Sequence, residues 1–298
     1  MSLNIPDHYT ISFSTNVMLL LQQKGSKLRG TMTEGQYTGK QASPVDQIGK
    51  VEMLQVTNRF APMPRVDASV DRRWVVPSDF DLPQMIDTFD KLRLLTDPES
   101  SYTQNAVFAA GRKVDTLALQ ATTGTAKTGE QGATSTTFTA ANEVDVAVGG
   151  ANSRLNTAKL LAVKELMRSN FVDFDMDEIY CVLTAKDESS LLNEIQIISS
   201  DFNGGDKPVL KDGKMTRFLG INFVYCELAE AVMAGTNEVT VPVWAKSGMH
   251  IGFWNDIQTE ISRRNDIRGI PWQSYVTGTF GATRLEENKV YAIESYRA

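Results

Sequence analysis

The sequence predicts an α+β fold in which long segments lie outside any core, and three observations carry that prediction. A polar arm of about fifty residues leads into a β-rich, Pro-punctuated ribbon from Val51 to Pro83. A long helix of small residues follows at about Ser101 to Ala121, and then a helix–strand–helix–strand run between Asn156 and Cys226. The last sixty residues are again strand-rich. No part of the first eighty residues can bury itself alone, which implies that these segments find cover on neighbouring copies of the same chain.

Length and composition provide the core that the rest needs. A compact fold of 298 residues would bury roughly 75% of its unfolded surface. An apolar share of 42% with 22% charged residues is globular and excludes intrinsic disorder. Thirty Lys plus Arg against thirty-six Asp plus Glu give a net charge of -6, which opposes any design based on neutralising phosphates. The basic clusters Lys24 to Arg29, Arg72 with Arg73, and Arg263 to Arg268 are short and read first as ion-paired, solvated faces. Cys181 and Cys226 lie in apolar strand-like runs and read as reduced core residues rather than a disulfide. The longest unbroken apolar run of the N-terminus, Val17 to Leu21, is too short for a signal core or a membrane span.

In chain order, the arm carries one weak helix at about Ser14 to Gln23, with Gly25 as its stop. From Gly30 to Gly49 neither period 2 nor period 3.6 appears, so a loop is expected. Val51 to Asn58 and Val70 to Pro77 read as the two limbs of a hairpin-like ribbon with Pro62 and Pro64 at its tip. Phe60, Met63 and Trp74 are expected to supply its contacts to another surface. Ser100 and Ser101 open the long helix, in which Ala106, Ala109, Ala110, Val114, Leu117, Ala118 and Ala121 recur at helical spacing and Gly124 is the stop. Thr122 to Thr139, rich in Thr, Gly and Ala, reads as a flexible loop.

Asn156 can cap a helix to about Ser169 with Leu155, Ala158, Ala162, Leu166 and Met167 as its apolar stripe. A strand at Ile179 to Leu183 runs into a second helix, where Thr184-Ala185-Lys186-Asp187 resembles a capping box and Leu191, Leu192, Ile195 and Ile198 form the buried face. Gly204, Gly205 and Gly213 punctuate the loop before the strand Phe218 to Cys226, which completes an α/β module. The closing strands are Val239 to Trp244, Ile251 to Trp254, Ile257 to Arg263, Tyr275 to Ala282 and Lys289 to Ile293. The long helix has no sheet of its own, so these strands are expected to return and pack against it, making a discontinuous domain.

Catalytic and cofactor chemistry find no support: no catalytic, cofactor-binding or metal-binding residues are assigned. His8 and His250, with two separated cysteines, form no metal-ligand spacing. Gly35 to Gln41 only glances at a phosphate loop, because its glycines are one residue too close and Lys40 lacks a following Ser or Thr. Asp79, Asp81, Asp87 and Asp90 are the densest carboxylate group and read as turn residues bonded to local backbone rather than as a cation or acid/base site.

Three strings fall in a suggestive order. Tyr180-Cys181-Val182-Leu183-Thr184 precedes a helix, Asp212-Gly213-Lys214 precedes Phe218-Leu219-Gly220-Ile221, and Gly281-Ala282-Thr283-Arg284 precedes Val290-Tyr291-Ala292-Ile293. Together with the arm, ribbon, long helix and returning strands they resemble the major capsid protein of tailed bacteriophages, the Hong Kong 97 type fold that encapsulins share. The resemblance spans nearly the whole chain. It implies an N-terminal arm at 1–29, an extended loop at 30–82, a peripheral domain with a spine helix at 83–150, and an axial domain at 151–256. Residues 257–298 would return to the peripheral domain, with the last strand free to join the axial sheet.

The resemblance further implies hexamers and pentamers tiling an icosahedral shell around packaged double-stranded DNA, assembled in the bacterial host cytoplasm. Shells of this family usually expand from procapsid to mature particle. The implied partners are other copies of the chain, a portal, a separate scaffolding protein because the arm is short, a decoration protein in some members, and DNA through non-specific contacts; no membrane and no cofactor are implied. A basic contact from the inner arm to DNA is the second reading of the Lys24 to Arg29 cluster. Competing readings are an encapsulin-like compartment enclosing an enzyme, a tail or baseplate protein, and an enzyme using the aspartate group. Some family members cross-link their shells through a lysine on the extended loop. Val51 to Lys91 offers only Arg59, Arg65, Arg72 and Arg73 before Lys91 itself, so Lys40 and Lys50 alone could serve, and a non-covalent shell is expected.

Overall fold

The computed structural model describes residues 22–56, 58, 62–86, 99–150, 152–194, 210–211 and 214–297. The expected arm helix, Phe60, and the aspartates at 87 and 90 lie outside these residues, as do Ile195 and Ile198.

A six-stranded sheet organises the molecule, in the order Arg217–Phe218, Ile221–Tyr225, Ile179–Leu183, Glu238–Ala245, Val290–Tyr296 and Glu143–Val144. Its central strand, Ile179–Leu183, runs parallel to Ile221–Tyr225 and antiparallel to Glu238–Ala245. Side chains alternate across a strand. Ile179, Cys181 and Leu183 therefore enter one core with the helices Thr157–Ser169 and Ala185–Leu192, while Val182 enters a second core with the long helix Glu99–Thr123. The near-continuous apolar run Ile179 to Leu183 follows from this double burial.

Both expected N-caps are present. The Asn156 side chain accepts from Lys159 N at 2.8 Å, and the Thr184 hydroxyl accepts from Asp187 N at 3.4 Å while donating to Asp187 Oδ2 at 2.6 Å. The apolar stripe differs from expectation. Leu160, Val163 and Met167 are the buried face of Thr157–Ser169 and Ala158 is exposed, because the helix is rotated to bury Lys159, whose Nζ donates to the Ser153 and Glu294 carbonyls.

The closing strands do return to the long helix. Met249–Arg263 and Trp272–Arg284 form one long hairpin, flanked by Ser78–Ile86 on one side and Thr33–Gln36 on the other. Val114, Ala118 and Leu119 of the helix pack with Met249, Ile251, Phe253 and Phe280 from this sheet. The two separate strands expected at 251–254 and 257–263 are a single strand interrupted by register shifts between Phe253 and Gln258. A bulge breaks the period-2 pattern just as a strand end does, which is why the sequence pattern read as two strands. Position 256 thus falls inside a strand, and the last strand, Val290–Tyr296, lies in the six-stranded sheet.

A smaller four-stranded sheet holds the base of the ribbon, in the order Ala42–Ile48, Val70–Val75, Ala126–Thr128 and Thr134–Thr136. Here three expectations are corrected. Val70–Val75 pairs with Ala42–Ile48 rather than with Val51 to Asn58, and residues 51–56 carry no strand. Gly30 to Gly49, read as loop, contains two strands; Thr122 to Thr139, read as a flexible loop, contains a short hairpin. Polar Thr- and Gln-rich strands have little hydrophobic periodicity, and they form here because backbone pairing against an existing edge supplies what their side chains do not. Gly281 permits the close approach of this sheet, since a Cβ there would fall on the Val76 carbonyl oxygen.

Candidate interaction surface

Among the described residues, the exposed large apolar side chains concentrate on the ribbon. Met53 and Met63 are essentially fully exposed at 101% and 94%, and Ile48, Val51, Leu54, Val56, Val66 and Val70 are exposed as well. Met53, Leu54, Val56, Pro62, Met63 and Val66 line a groove of about 560 Å³. Burying one such side chain is worth roughly 1.5–3 kcal/mol, so a cluster of them on one projection marks a contact surface. Three ion pairs of the ribbon are internal to it, Arg72 with Asp46, Arg65 with Asp67 and Lys50 with Glu52.

Trp74 is not part of this surface. Its Nε1 donates to the Gly129 carbonyl at 2.7 Å, and its ring lies against Gly132, so it secures the base of the ribbon within the subunit. Met63 is as exposed as expected.

The last part of the arm is held by side chains that sequence reasoning did not single out. Asp115, fully buried in the middle of the long helix, accepts from the backbone of Lys27 at 2.9 Å and of Leu28 at 3.1 Å, and from the side chains of Gln23 and Ser26. Gly111 allows this turn to approach: a Cβ there would lie 2.6 Å from the backbone at Gly25 and Ser26. A lone Asp among the alanines of the helix was the available signal.

His250 acts similarly. The Thr33 hydroxyl donates to the Met249 carbonyl at 2.7 Å, so it accepts from His250 Nδ1 at 2.8 Å, and the Tyr37 hydroxyl donates to Nε2 at 2.9 Å. The imidazole is neutral in this arrangement, and burial lowers its pKa to about 4 against an opposing pull from Glu34. Its role is to clamp the strand Thr33–Gln36 onto the sheet.

The remaining candidates for chemistry disperse. Thr33–Gln36 is a strand followed by another strand, so Gly35 to Gln41 lacks the helix a phosphate loop needs. Asp79 and Asp81 are not the turn residues expected: they stand on the strand Ser78–Ile86, where Asp79 accepts from Thr279 Oγ1 at 2.7 Å and Asp81 from the Tyr275 hydroxyl at 3.5 Å, both partners lying across the sheet. Cys181 and Cys226 are buried free thiols; burial raises both pKa values, that of Cys226 to about 11. Among the described residues no three or more His, Cys, Asp or Glu side chains gather to hold a metal, and no helix is long and apolar enough to cross a membrane. Each basic cluster contributes at least one ion pair, Arg29 with Glu34 and Asp256, Arg264 with Asp266, and Arg73 with Glu287, but Arg73 is buried and not part of a solvated face.

Comparison with known proteins gives one family. A family model described as phage capsid protein matches residues 5–296. Among solved structures, the capsid of cyanophage P-SCSP1u superposes with a TM-score of 0.73 at 15% identity, covering 98% of this chain and 94% of that one. The cyanophage Pam1 capsid gives 0.73 at 11% identity over 100% and 99%, and that of Ralstonia phage GP4 gives 0.70 at 10% over 100% and 98%. At these identities the structural likeness speaks for the fold, which is of the Hong Kong 97 type. No curated protein sequence matches the chain.

Proposed function

The chain belongs to the phage capsid protein family and is a capsid shell protein, and on that premise we propose that it assembles as hexamers and pentamers into an icosahedral shell around double-stranded DNA. The observation that carries the reading is the ribbon: large apolar side chains from Ile48 to Val70 stand in water on a projection with no core of its own. In a closed shell each ribbon lies over an adjacent copy, so that every subunit covers surface its neighbour cannot cover itself. The role is structural and needs no catalysis or cofactor. Portal, scaffolding and decoration proteins are the further partners of this reading, with assembly in the host cytoplasm and the virion as destination. The division into arm (1–29), extended loop (30–82), peripheral domain (83–150 and 257–298) and axial domain (151–256) is part of the proposal. We adjust it by moving 249–256 to the peripheral domain, because that stretch pairs with Thr33–Gln36 and Trp272–Arg284, and the last strand to the axial sheet.

The test replaces Phe60 to Arg65 with a short Gly/Ser linker. Circular dichroism should report an intact fold while electron microscopy finds no shells. Normal shells from this variant would overturn the ribbon's role, and a stable folded monomer of the unaltered chain under all assembly conditions, seen by chromatography with light scattering, would overturn the shell itself. Particles carrying an enzyme instead of DNA would redirect the reading to a cargo compartment.

A further inference from the structure

The four-stranded ribbon sheet, the long helix, the long hairpin and the six-stranded sheet all meet at one short turn, Leu285 to Lys289. Arg284, at the end of Trp272–Arg284, is fully buried and donates from Nη1 to the carbonyls of Thr122 at 2.8 Å and Gly124 at 2.9 Å, where the long helix ends. A guanidinium there satisfies carbonyls that the helix leaves unpaired and complements its dipole. The same Arg284 donates from Nε to Glu287 Oε2 at 2.6 Å, and the other carboxylate oxygen, Oε1, accepts from Arg73 Nη1 at 3.1 Å. Arg73 is 6% exposed and sits on the ribbon strand Val70–Val75. The Glu287 backbone carbonyl accepts from the Asn142 side chain at 2.6 Å, which also bonds the Val290 carbonyl of the six-stranded sheet. Gln47, on the paired ribbon strand, donates to the Leu285 carbonyl and accepts from Arg73 Nε at 3.4 Å.

We infer that Arg73, Glu287 and Arg284 form a lock that positions the ribbon, fixing the direction in which it leaves the subunit to the end of the long helix through one shared carboxylate. Among the described residues the Arg73–Glu287 pair is the ion pair that joins the ribbon strands to the 284–289 turn, whereas the pairs of Arg72, Arg65 and Lys50 stay within the ribbon. Two buried guanidiniums, Arg73 and Arg284, share one partly buried carboxylate, so its loss leaves two like charges facing each other in a poorly hydrated place, an arrangement far less tolerable than the loss of an exposed pair. The described residues of 51–69 extend beyond this anchor without strand pairing, so a small change of direction at Arg73 is multiplied along the ribbon. The lock makes ribbon direction and helix end one mechanical unit: bending one moves the other. These are positioning residues, and the inference rests on the reading of the ribbon as the contact to neighbouring copies.

The test uses the full chain carrying Glu287→Gln, which keeps the shape and removes the charge, and separately Arg73→Met, which leaves the Glu287–Arg284 pair in place should the first variant fail to fold. Amide hydrogen exchange in unassembled subunits should rise about tenfold or more in Ala42–Ile48 and Val70–Val75 and stay near the original rate in Ile179–Leu183. Shell yield should fall, and Glu287→Asp should restore part of it. Unchanged exchange in the ribbon strands overturns the lock, and so does an equal rise in both regions, which would make the three residues ordinary supports of the fold. A loosened ribbon with undiminished shell yield upholds the lock and overturns instead the reading of the ribbon as the assembly contact.

Discussion

The helix-covered face of the six-stranded sheet and the ribbon are opposite answers to one problem, how to remove apolar side chains from water. In the first, Leu155, Leu160, Val163, Met167, Leu183 and Ile293 are all 0–1% exposed, covered by residues of the same chain. In the second, Met53 and Met63 are left bare. The difference teaches that the two regions bury apolar surface differently: one closes on itself, and under the proposed function the other is finished by a neighbour, so that stability and assembly would reside in separate parts of the chain.

This separation predicts effects that should not mix, and the first test should produce the largest. Leu160→Ala opens a cavity in a fully buried site and should destabilise the subunit by roughly 2–5 kcal/mol, read by denaturant unfolding. Met53→Ser with Met63→Ser should shift subunit stability by no more than about 0.5 kcal/mol, as expected for exposed sites, yet abolish shells in electron micrographs. A ribbon double variant that unfolds the subunit, or one that assembles normally, would break the comparison.

The same contrast governs what the sequence disclosed. Where side chains enter a core, as a continuous apolar run in Ile179–Leu183 or as a one-sided stripe along the long helix, the apolar pattern reports the element, and caps such as Asn156 and Thr184 mark helix starts. Where an element exists because an edge was waiting for it, as for Ala42–Ile48 and Ala126–Thr128, its side chains carry no period and the pairing stays invisible. Trp74 was misjudged for a related reason: composition identifies a large aromatic but not whether its cover is Gly132 of its own chain or a neighbour. The polar anchors Asp115, His250 and Arg73 bond across separations of about ninety to more than two hundred residues; Arg284 and Glu287 are three residues apart, but their partners at Thr122 and Arg73 are equally remote. The exposed ribbon, proposed as the assembly contact, was legible in the sequence; the residues proposed to aim it were not.

A second, smaller effect comes from the clamp at His250, which ties the arm strand to the sheet. Its pKa falls from 6.5 to about 4 because burial disfavours the imidazolium. A base with a depressed folded pKa contributes stability that is present above its unfolded value and lost as pH falls toward its folded value. The clamp should therefore hold above about pH 6.5 and weaken progressively toward pH 4. Full linkage would make this about 3 kcal/mol, and partial hydration of the protonated ring reduces it to about 1–2 kcal/mol. Protonation at Nε2 also turns the Tyr37 hydroxyl from donor to acceptor. Unfolding free energies measured from pH 7 to pH 5 should decline less in His250→Gln than in the unaltered chain, a window chosen because Asp256 and Glu230, whose pKa values are lowered by Arg29 and Arg154, stay ionised there. Parallel slopes for the two proteins would remove His250 as the cause.

The smallest expected effect is none at all, in covalent linkage between ribbons. Isopeptide formation needs a neutral lysine amine to attack an asparagine side-chain amide, with ammonia leaving, and an arginine cannot take that part because its guanidinium stays charged. Between Val51 and Lys91 the basic residues are Arg59, Arg65, Arg72 and Arg73, so Lys40 and Lys50 are the lysines within reach. Lys50 pairs with Glu52 at 3.2 Å, and both side chains are more than three-quarters exposed, at 77% and 78%. So exposed a side chain lacks the desolvated setting that the reaction requires. The ribbon's exposed methionines and valines offer a different means of attachment, burial against the next subunit, which accumulates over many copies without a bond being made. Mature particles boiled in denaturant should therefore run as one band near 32.9 kDa, and Lys50→Arg should leave particle stability unchanged. A ladder of oligomers with Lys40 or Lys50 joined to asparagine, identified by mass spectrometry, would mean that the neighbouring subunit desolvates the lysine that the isolated one leaves in water.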